Sequence, residues 1–248
     1  MDHEVKILPV EGDGFRNRLI DVLPHAEHSR LLAHMELASL PRGERLFEQG
    51  ETIQKIYFPV TAVLSLVTTL SDGTTIEIST IGNEGTTGGP AFLGNDSMSN
   101  ASCLCQIEGD ALRLDAHAFR EVLDASEQLR ARMGRYVGAL LTQVGQAVAC
   151  NGLHPTLERT ARWLLTSHDR VGKDEFMLTQ EFLSYMLGAR RASVNVAART
   201  LQTAGLISYN RGHLRILDRA GLEEAACECY FVMRSALEDA LGPQQVNA

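Results

Sequence analysis

The sequence predicts an α+β protein: an N-terminal antiparallel β-roll, one long helix, and a C-terminal unit of helices closed by a small hairpin. Three observations carry this. Between residues 45 and 114, short apolar segments alternate with Gly-containing turns, the signature of a small double-layered antiparallel sheet. Leu129, Met133, Val137, Leu140, Val144 and Val148 then recur at spacings of four and three, an apolar seam on a long helix. Residues 178–217 show two short helical periods on either side of Gly188, then two alternating segments around Asn210-Arg211-Gly212.

Taken in order, residues 1–14 carry no periodicity and are expected to be a loose arm. Residues 15–40 suggest two short helices interrupted near Pro24 and His25 and ended by Pro41-Arg42-Gly43. Strands are expected around Leu46-Phe47, Ile56-Tyr57-Phe58, 63–70, 75–81, 102–108 and 111–114, with turns at Gly50, Asp72-Gly73 and Gly109-Asp110. In the strand 75–81, Ile76 and Ile78 fall on one face and Thr75, Glu77 and Ser79 on the other. Helix signals return over 116–150, Asn151-Gly152 is a plausible hinge, and Pro155 opens a helix over 157–168. This gives three units: the roll with its helical lead-in (15–125), the long helix (126–151) and the C-terminal domain (152–248).

In the C-terminal unit Thr179 stands where a helix N-cap should, and Gly188 supplies the left-handed residue that ends the first helix. The second helix, 191–203, places Val194, Ala197, Ala198 and Leu201 on one side. Arg191, Asn195, Arg199 and Gln202 lie largely on the other. Arg can pair bidentately with guanine and Asn with adenine, so this polar face has the chemistry to read base edges. The following hairpin would carry Arg211, His213 and Arg215 as a wing. Residues 178–217 hold five Arg against one Glu and so carry +4, whereas the chain is −8 overall, leaving −12 elsewhere. Positive charge is concentrated where a nucleic-acid reader needs it. Asp218 then caps a last helix over 219–241, and 242–248 are expected to be disordered.

These residues carry a family resemblance. Gly188, then Arg191, Ser193 and Val194, then Gly205-Leu206-Ile207 resemble the winged helix-turn-helix of the Crp/Fnr family of bacterial transcription regulators. Upstream, the strand order and the Gly50 and Gly73 turns are similar to that family's cyclic-nucleotide-binding domain. The resemblance implies a homodimer through the long helix, with the seam at Met133, Val137, Leu140, Val144 and Val148. It implies double-stranded DNA as partner, with a two-fold symmetric site, RNA polymerase as a candidate partner, and Arg191 as the base-reading residue. Ala192 and Val196 replace the Glu and Arg that accompany it in the cyclic-AMP receptors, so the recognised sequence should differ. Arg190, Ser193, Asn195 and Arg199 are further base or phosphate candidates. Thr179, Gln180, Arg211, His213 and Arg215 are phosphate candidates.

The same resemblance locates an effector loop over 82–101. Gly88 fits the family Gly, but Gly89 stands where a ribose-binding Glu is expected, and Ser97, Met98, Ser99 and Asn100 lie near the phosphate position. No Arg or Lys occurs between Lys55 and Arg113. A buried phosphate needs a cation or a nest of N–H donors, so cyclic AMP is expected to bind poorly or not at all. Gly82, Gly85, Gly88 and Gly89, with Ser99 and Asn100, remain candidates for binding another effector, against a reading of them as plain turns. No cofactor is predicted. Iron–sulfur chemistry lacks an N-terminal cysteine cluster, and haem is neither required nor excluded.

Composition sets the remaining bounds. With 44% hydrophobic and 22% charged residues among 248, the chain has room for two packed domains. It holds no apolar run of about 18 residues, and its N-terminus lacks a basic start and apolar block, so a cytoplasmic location without membrane contact is expected. The five cysteines suggest reduced thiols. Cys103 and Cys105 would share a strand face too far apart for a disulfide. Cys227 and Cys229, two apart in a helical pattern, would point away from each other. With Cys150 they lack C-x2-4-C spacing, so no metal is expected. The eight histidines form no H-x-x-x-H, and neither a G-x-S-x-G nor a P-loop occurs, so the chain is not expected to be an enzyme. A ligand or redox sensor acting through protein contacts would want an acidic or apolar second helix, and this one is basic.

Overall fold

The computed structural model describes residues 5–6, 16–94 and 99–242. Ser97, Met98, the tail 243–248 and most of the N-terminal arm lie outside them. Within the arm, Val5–Lys6 (β1) pairs antiparallel with Glu36–Leu40 (β2), so this part is an edge strand rather than loose chain. Two short helices follow, α1 (Arg18–Asp21) and α2 (His25–Leu32). Asn17 fixes the first: its Oδ1 accepts from Leu19 N at 3.1 Å, and its Nδ2 donates to the carbonyls of Pro59 and Gly85 at 2.8 and 2.9 Å. The expected helix ends earlier than its apolar spacing suggested. Strand β2 replaces its last turn because it is a central strand, hydrogen-bonded to β1 and to Gly109–Asp115 (β8), with Leu37, Ala38 and Leu40 buried and Ser39 exposed. This run shows no strict alternation.

The other strands are β3 (Arg45–Phe47), β4 (Lys55–Pro59), β5 (Val63–Thr69), β6 (Thr75–Ile81) and β7 (Ser102–Ile107). The turn expected at Gly109-Asp110 is instead the start of β8, where the two residues pair with Leu40 and Ser39, so that Glu108 alone links β7 to β8. Between β6 and β7 lies one helical turn, α3 (Gly89–Phe92). The strands make two four-stranded antiparallel sheets, β1-β2-β8-β4 and β3-β7-β5-β6. Ile56, Phe58, Leu64, Cys103, Cys105, Leu112 and Leu114 fill the space between them. Helix α4 (Ala116–Ala125), capped by Asp115, closes one end by setting Phe119 edge-on to Phe58, with ring centroids 5.8 Å apart.

Ser126 is extended, and its hydroxyl caps the long helix α5 (Glu127–Leu153) by accepting from Leu129 N at 3.0 Å. The helix runs 27 residues, about 40 Å at 1.5 Å per residue. It passes through Asn151 and Gly152 unbroken. The break comes at His154, held extended before Pro155, where proline sterics exclude the helical region. The seam also needs correction. Met133 and Val137 are enclosed in the chain's own core and Leu140 and Val144 are half-buried, because α5 leans on the loop after β6. The stripe left outward is Gly134, Gly138, Leu141, Gly145, Val148 and Gly152, with Leu141 65% and Val148 71% exposed. Among the described residues no helix is long and apolar enough to cross a membrane.

Beyond the break come α6 (Thr156–Val171), β9 (Glu175–Met177), α7 (Gln180–Leu187), α8 (Arg191–Thr203), β10 (Ile207–Asn210) and β11 (His213–Ile216). The expected last helix is two, α9 (Arg219–Glu224) and α10 (Cys229–Leu241). Helix α10 folds back antiparallel along α5: Gln146 Nε2 donates to Cys229 Sγ at 3.3 Å near one end, and Arg132 Nη1 donates to the Ala240 carbonyl at 3.1 Å near the other. A second core joins α6 to α9 and Tyr230 with Val63, Val67 and Ile107 of the roll. The two halves therefore share apolar surface.

Candidate nucleic-acid interface

The helix-turn-helix is built as its residues dictate. Thr179 Oγ1 accepts from Phe182 N at 3.1 Å and starts α7. Gly188, at φ 53 and ψ 39, ends it in the left-handed conformation, and Ala189 N donates to the Ser184 carbonyl at 3.1 Å. Arg190 is the extended residue before α8: its carbonyl accepts from Ser193 N at 2.9 Å and Val194 N at 3.1 Å, and no side chain caps the helix start. Val194, Ala197, Ala198 and Leu201 are buried against α6 and α7. Arg190, Arg191, Ala192, Ser193, Val196 and Arg199 are exposed, Asn195 is half-buried, and Gln180 lies exposed at the start of α7. The polar face expected to read bases is thus presented to solvent.

Arg191 is not idle in this state. Its guanidinium pairs with the Glu181 carboxylate of α7, the two side chains being 58% and 54% exposed. The Tyr185 hydroxyl donates to the same carboxylate at 3.4 Å. The wing turns on Arg211 and Gly212, with φ of 48 and 86, which is the two-residue turn that suits a tight hairpin. Arg211 and His213 are exposed at its tip. The lead-in to α7 contributes a third strand that sequence reasoning missed: β9 pairs with β11 and sets Glu175 opposite Arg215, 3.3 Å from its Nε. Tyr209 Oη donates to the Leu178 carbonyl at 2.8 Å and ties wing to helix.

The effector loop is a different environment. Gly82, Gly85, Gly88, Gly89 and Ser99 are buried, and Asn100 is exposed. The glycines serve close approach: a Cβ on Gly85 would lie 2.4 Å from the Tyr136 hydroxyl, and one on Gly88 2.8 Å from Phe119. Five of its backbone donors are spent internally. Gly82 N donates to Glu84 Oε1, Gly85 N to the Gly82 carbonyl, Thr86 N to Tyr136 Oη, Thr87 N to the Tyr57 carbonyl and Gly88 N to Thr86 Oγ1. A buried cation reaches this loop from the other half of the chain. Arg170 of α6 pairs with Glu84 at 2.7 Å, both about 5% exposed, and its guanidinium also reaches Thr80 Oγ1 and, at 3.3 Å, Gln143 Oε1 of α5. A second joint lies beside it. Glu77, expected on a polar face, is covered by α6 and accepts from Trp163 Nε1 at 3.0 Å and Ser65 Oγ at 2.7 Å. Burial pushes its carboxyl up to about 7.

A description of the cyclic nucleotide-binding domain matches residues 37–126, and one of the Crp-like helix-turn-helix domain matches residues 158–225, together more than half of the chain. The chain belongs to the Crp/Fnr family of transcription regulators. Its fold is that of solved family members. FixK2 from Bradyrhizobium japonicum is 16% identical, with a TM-score of 0.65 over 77% of this chain and 96% of that one. A CRP-family regulator from Thermus thermophilus is 21% identical, with a TM-score of 0.63 over 76% and 95%. The c-di-GMP-responsive global regulator CLP of Xanthomonas campestris is 14% identical, with a TM-score of 0.59 over 78% and 99%. No curated protein matches the chain. As a family member it carries a helix-turn-helix suited to DNA and a domain of the cyclic-nucleotide-binding type.

One constellation escaped the sequence entirely. Because the last helix breaks between α9 and α10, Cys227 and Cys229 do not point apart, and they converge with Cys150 and His154. The signal that could have found them is the i, i+4 pair Cys150 and His154, which puts both on one face of a helix end.

Proposed function

We propose that this protein is a dimeric, sequence-specific regulator that binds a two-fold symmetric site in duplex DNA, and that its roll does not respond to cyclic AMP. The observation that carries the reading is the outward face of α8, where Arg190, Arg191, Ser193 and Arg199 are exposed and Asn195 half-buried, together with a wing that exposes Arg211 and His213. Arg191 has the reach and donor fork for a guanine edge. Thr179, Gln180, Arg211, His213 and Arg215 border it as phosphate contacts, which position without specifying sequence.

Dimerisation through α5 rests on the outward stripe of small residues with Leu141 and Val148, where glycines permit close helix approach. Against cyclic AMP stand the spent donors of the loop and the engagement of Arg170 by Glu84. Buried phosphate would have to break these contacts. Selection from random duplex DNA by the protein without nucleotide should enrich an inverted repeat, and added cyclic AMP should leave its affinity unchanged. A cyclic-AMP requirement would overturn the second part, and enrichment of no sequence under any nucleotide would overturn the first. Leu141→Asp should give a monomer in sedimentation and abolish binding to the full repeat.

A further inference from the structure

Away from the nucleic-acid interface, the end of α5 and the start of α10 bring four ligand-type side chains together. Cys150 lies in the last turn of α5, His154 is its C-cap, and Cys227 and Cys229 flank Glu228 at the entry to α10. The three Sγ atoms and an imidazole nitrogen all lie within 4.8 Å of one another. Cys150 Sγ is 3.5 Å from Cys227 Sγ, and Cys229 Sγ is 3.5 Å from His154 Nδ1. In a tetrahedron with Zn–S of about 2.3 Å and Zn–N of about 2.0 Å, the corresponding edges are about 3.8 and 3.5 Å. These two pairs lie within about 0.3 Å of those spacings, and the remaining pairs within 4.8 Å. A disulfide would need two sulfurs about 2.05 Å apart and would leave the third thiol and the imidazole without a role.

The surroundings fit a metal as well. Glu228 Oε2 lies 3.2 Å from His154 Nε2, so the carboxylate holds the proton on Nε2 and leaves the Nδ1 lone pair toward the sulfurs. Gln146 Nε2 donates to Cys229 Sγ at 3.3 Å. The cysteines form a small buried cluster apart from the two main cores. Two arginines of α6, Arg159 and Arg162, interact electrostatically with Cys150. Each is 8% exposed and leaves its Nε without a hydrogen-bond partner. Three thiolates, one neutral imidazole and a divalent ion sum to a single negative charge, which these buried cations would balance.

We infer that Cys150, His154, Cys227 and Cys229 form a tetrahedral site for Zn2+ that fastens α10 to the end of α5, across the break where the chain turns into the DNA-binding half. The soft thiolate set with one imidazole selects Zn2+ over hard, oxygen-seeking cations. The full-length protein, purified under reductant without chelator from zinc-supplemented cells, should contain one zinc per chain by elemental analysis. Co2+ added to the metal-stripped protein should give the ligand-field bands of tetrahedral cobalt and thiolate charge-transfer absorption. Cys227→Ser and His154→Ala should lose the metal, whereas Cys103→Ser, at a buried cysteine outside the cluster, should keep it. Glu228→Gln should keep the stoichiometry and weaken zinc affinity by about 10- to 100-fold in chelator competition. Wild-type protein that takes up neither ion, uptake undiminished in both ligand variants, or a Cys150–Cys227 disulfide in the reduced preparation would overturn the site.

Discussion

Two arginine–glutamate pairs in this protein use the same chemistry to opposite ends. Arg170–Glu84 is almost fully enclosed at the joint of roll, long helix and DNA-binding half, and the guanidinium has further acceptors on β6 and α5. Arg191–Glu181 joins the exposed starts of α8 and α7 with more than half of each side chain in solvent. Two enclosed charges cannot be parted without stranding one of them, whereas an exposed pair is worth only about 0–1 kcal/mol. Burial, not pairing, therefore decides which arginine is structure and which can exchange its partner at low cost, as the proposed contact of Arg191 with DNA requires.

The contrast can be broken most severely at the joint. Glu84→Ala strands Arg170 and should cost about 3–5 kcal/mol in urea unfolding. A loss below about 1 kcal/mol would show that water reaches the pair. The neighbouring Glu77 sharpens the point through pH. Its carboxyl ordinarily titrates at 4.5 and is raised to about 7 by burial, so between those values the folded chain holds a proton that the unfolded chain has released. Stability should fall as pH rises through that window, by about 3 kcal/mol at most. Glu77→Gln should flatten the thermal-unfolding profile there, and an unaltered slope would assign it to other groups. On the outward face of α8, Arg191→Ala should leave unfolding unchanged while costing about 1–3 kcal/mol of specific binding and relaxing one base position in a selection assay. The smallest effect belongs to Glu181→Gln. It should shift stability by less than about 1 kcal/mol yet tighten non-specific DNA binding, with a steeper dependence on salt.

What the sequence disclosed follows the same division between local and long-range causes. Thr179, Gly188 and the Asn210-Arg211-Gly212 turn act within a few residues, and the structure forms the cap, the left-handed stop and the hairpin where those residues stand. Strands β3 to β6 were legible because local breakers separate them, Gly50 before β4, Pro59 at the end of β4 and Gly73 before β6. The turn expected at Gly109-Asp110 proved to be strand because its pairing with β2, Asp110 with Ser39, lies 71 residues away. Strand β2 was not legible, since a short, mostly buried apolar run is ambiguous between strand and helix by period alone. Met133 and Val137 carried the right period for a seam, but period cannot say which partner a stripe meets. Their partner is the chain's own loop after β6. Glu77 looked like a solvated strand residue because nothing nearby announces that Trp163, 86 residues away, will cover it. The cysteine cluster failed for the same reason, with Cys150 and Cys227 separated by 77 residues.

The return of α10 along α5 sets a constraint in time as well as in space. Arg132 and Ala240, which meet where the two helices lie side by side, are 108 residues apart. At roughly 5–20 residues per second, the ribosome finishes the covered flank of α5 about 5–20 s before it supplies the cover. The roll and the long helix must wait through the whole synthesis of the DNA-binding half with that flank bare. Newly made chains consequently pass through a stage in which α5 is sticky on two sides, and early pairing of two such chains would compete with the arrival of their own last helix.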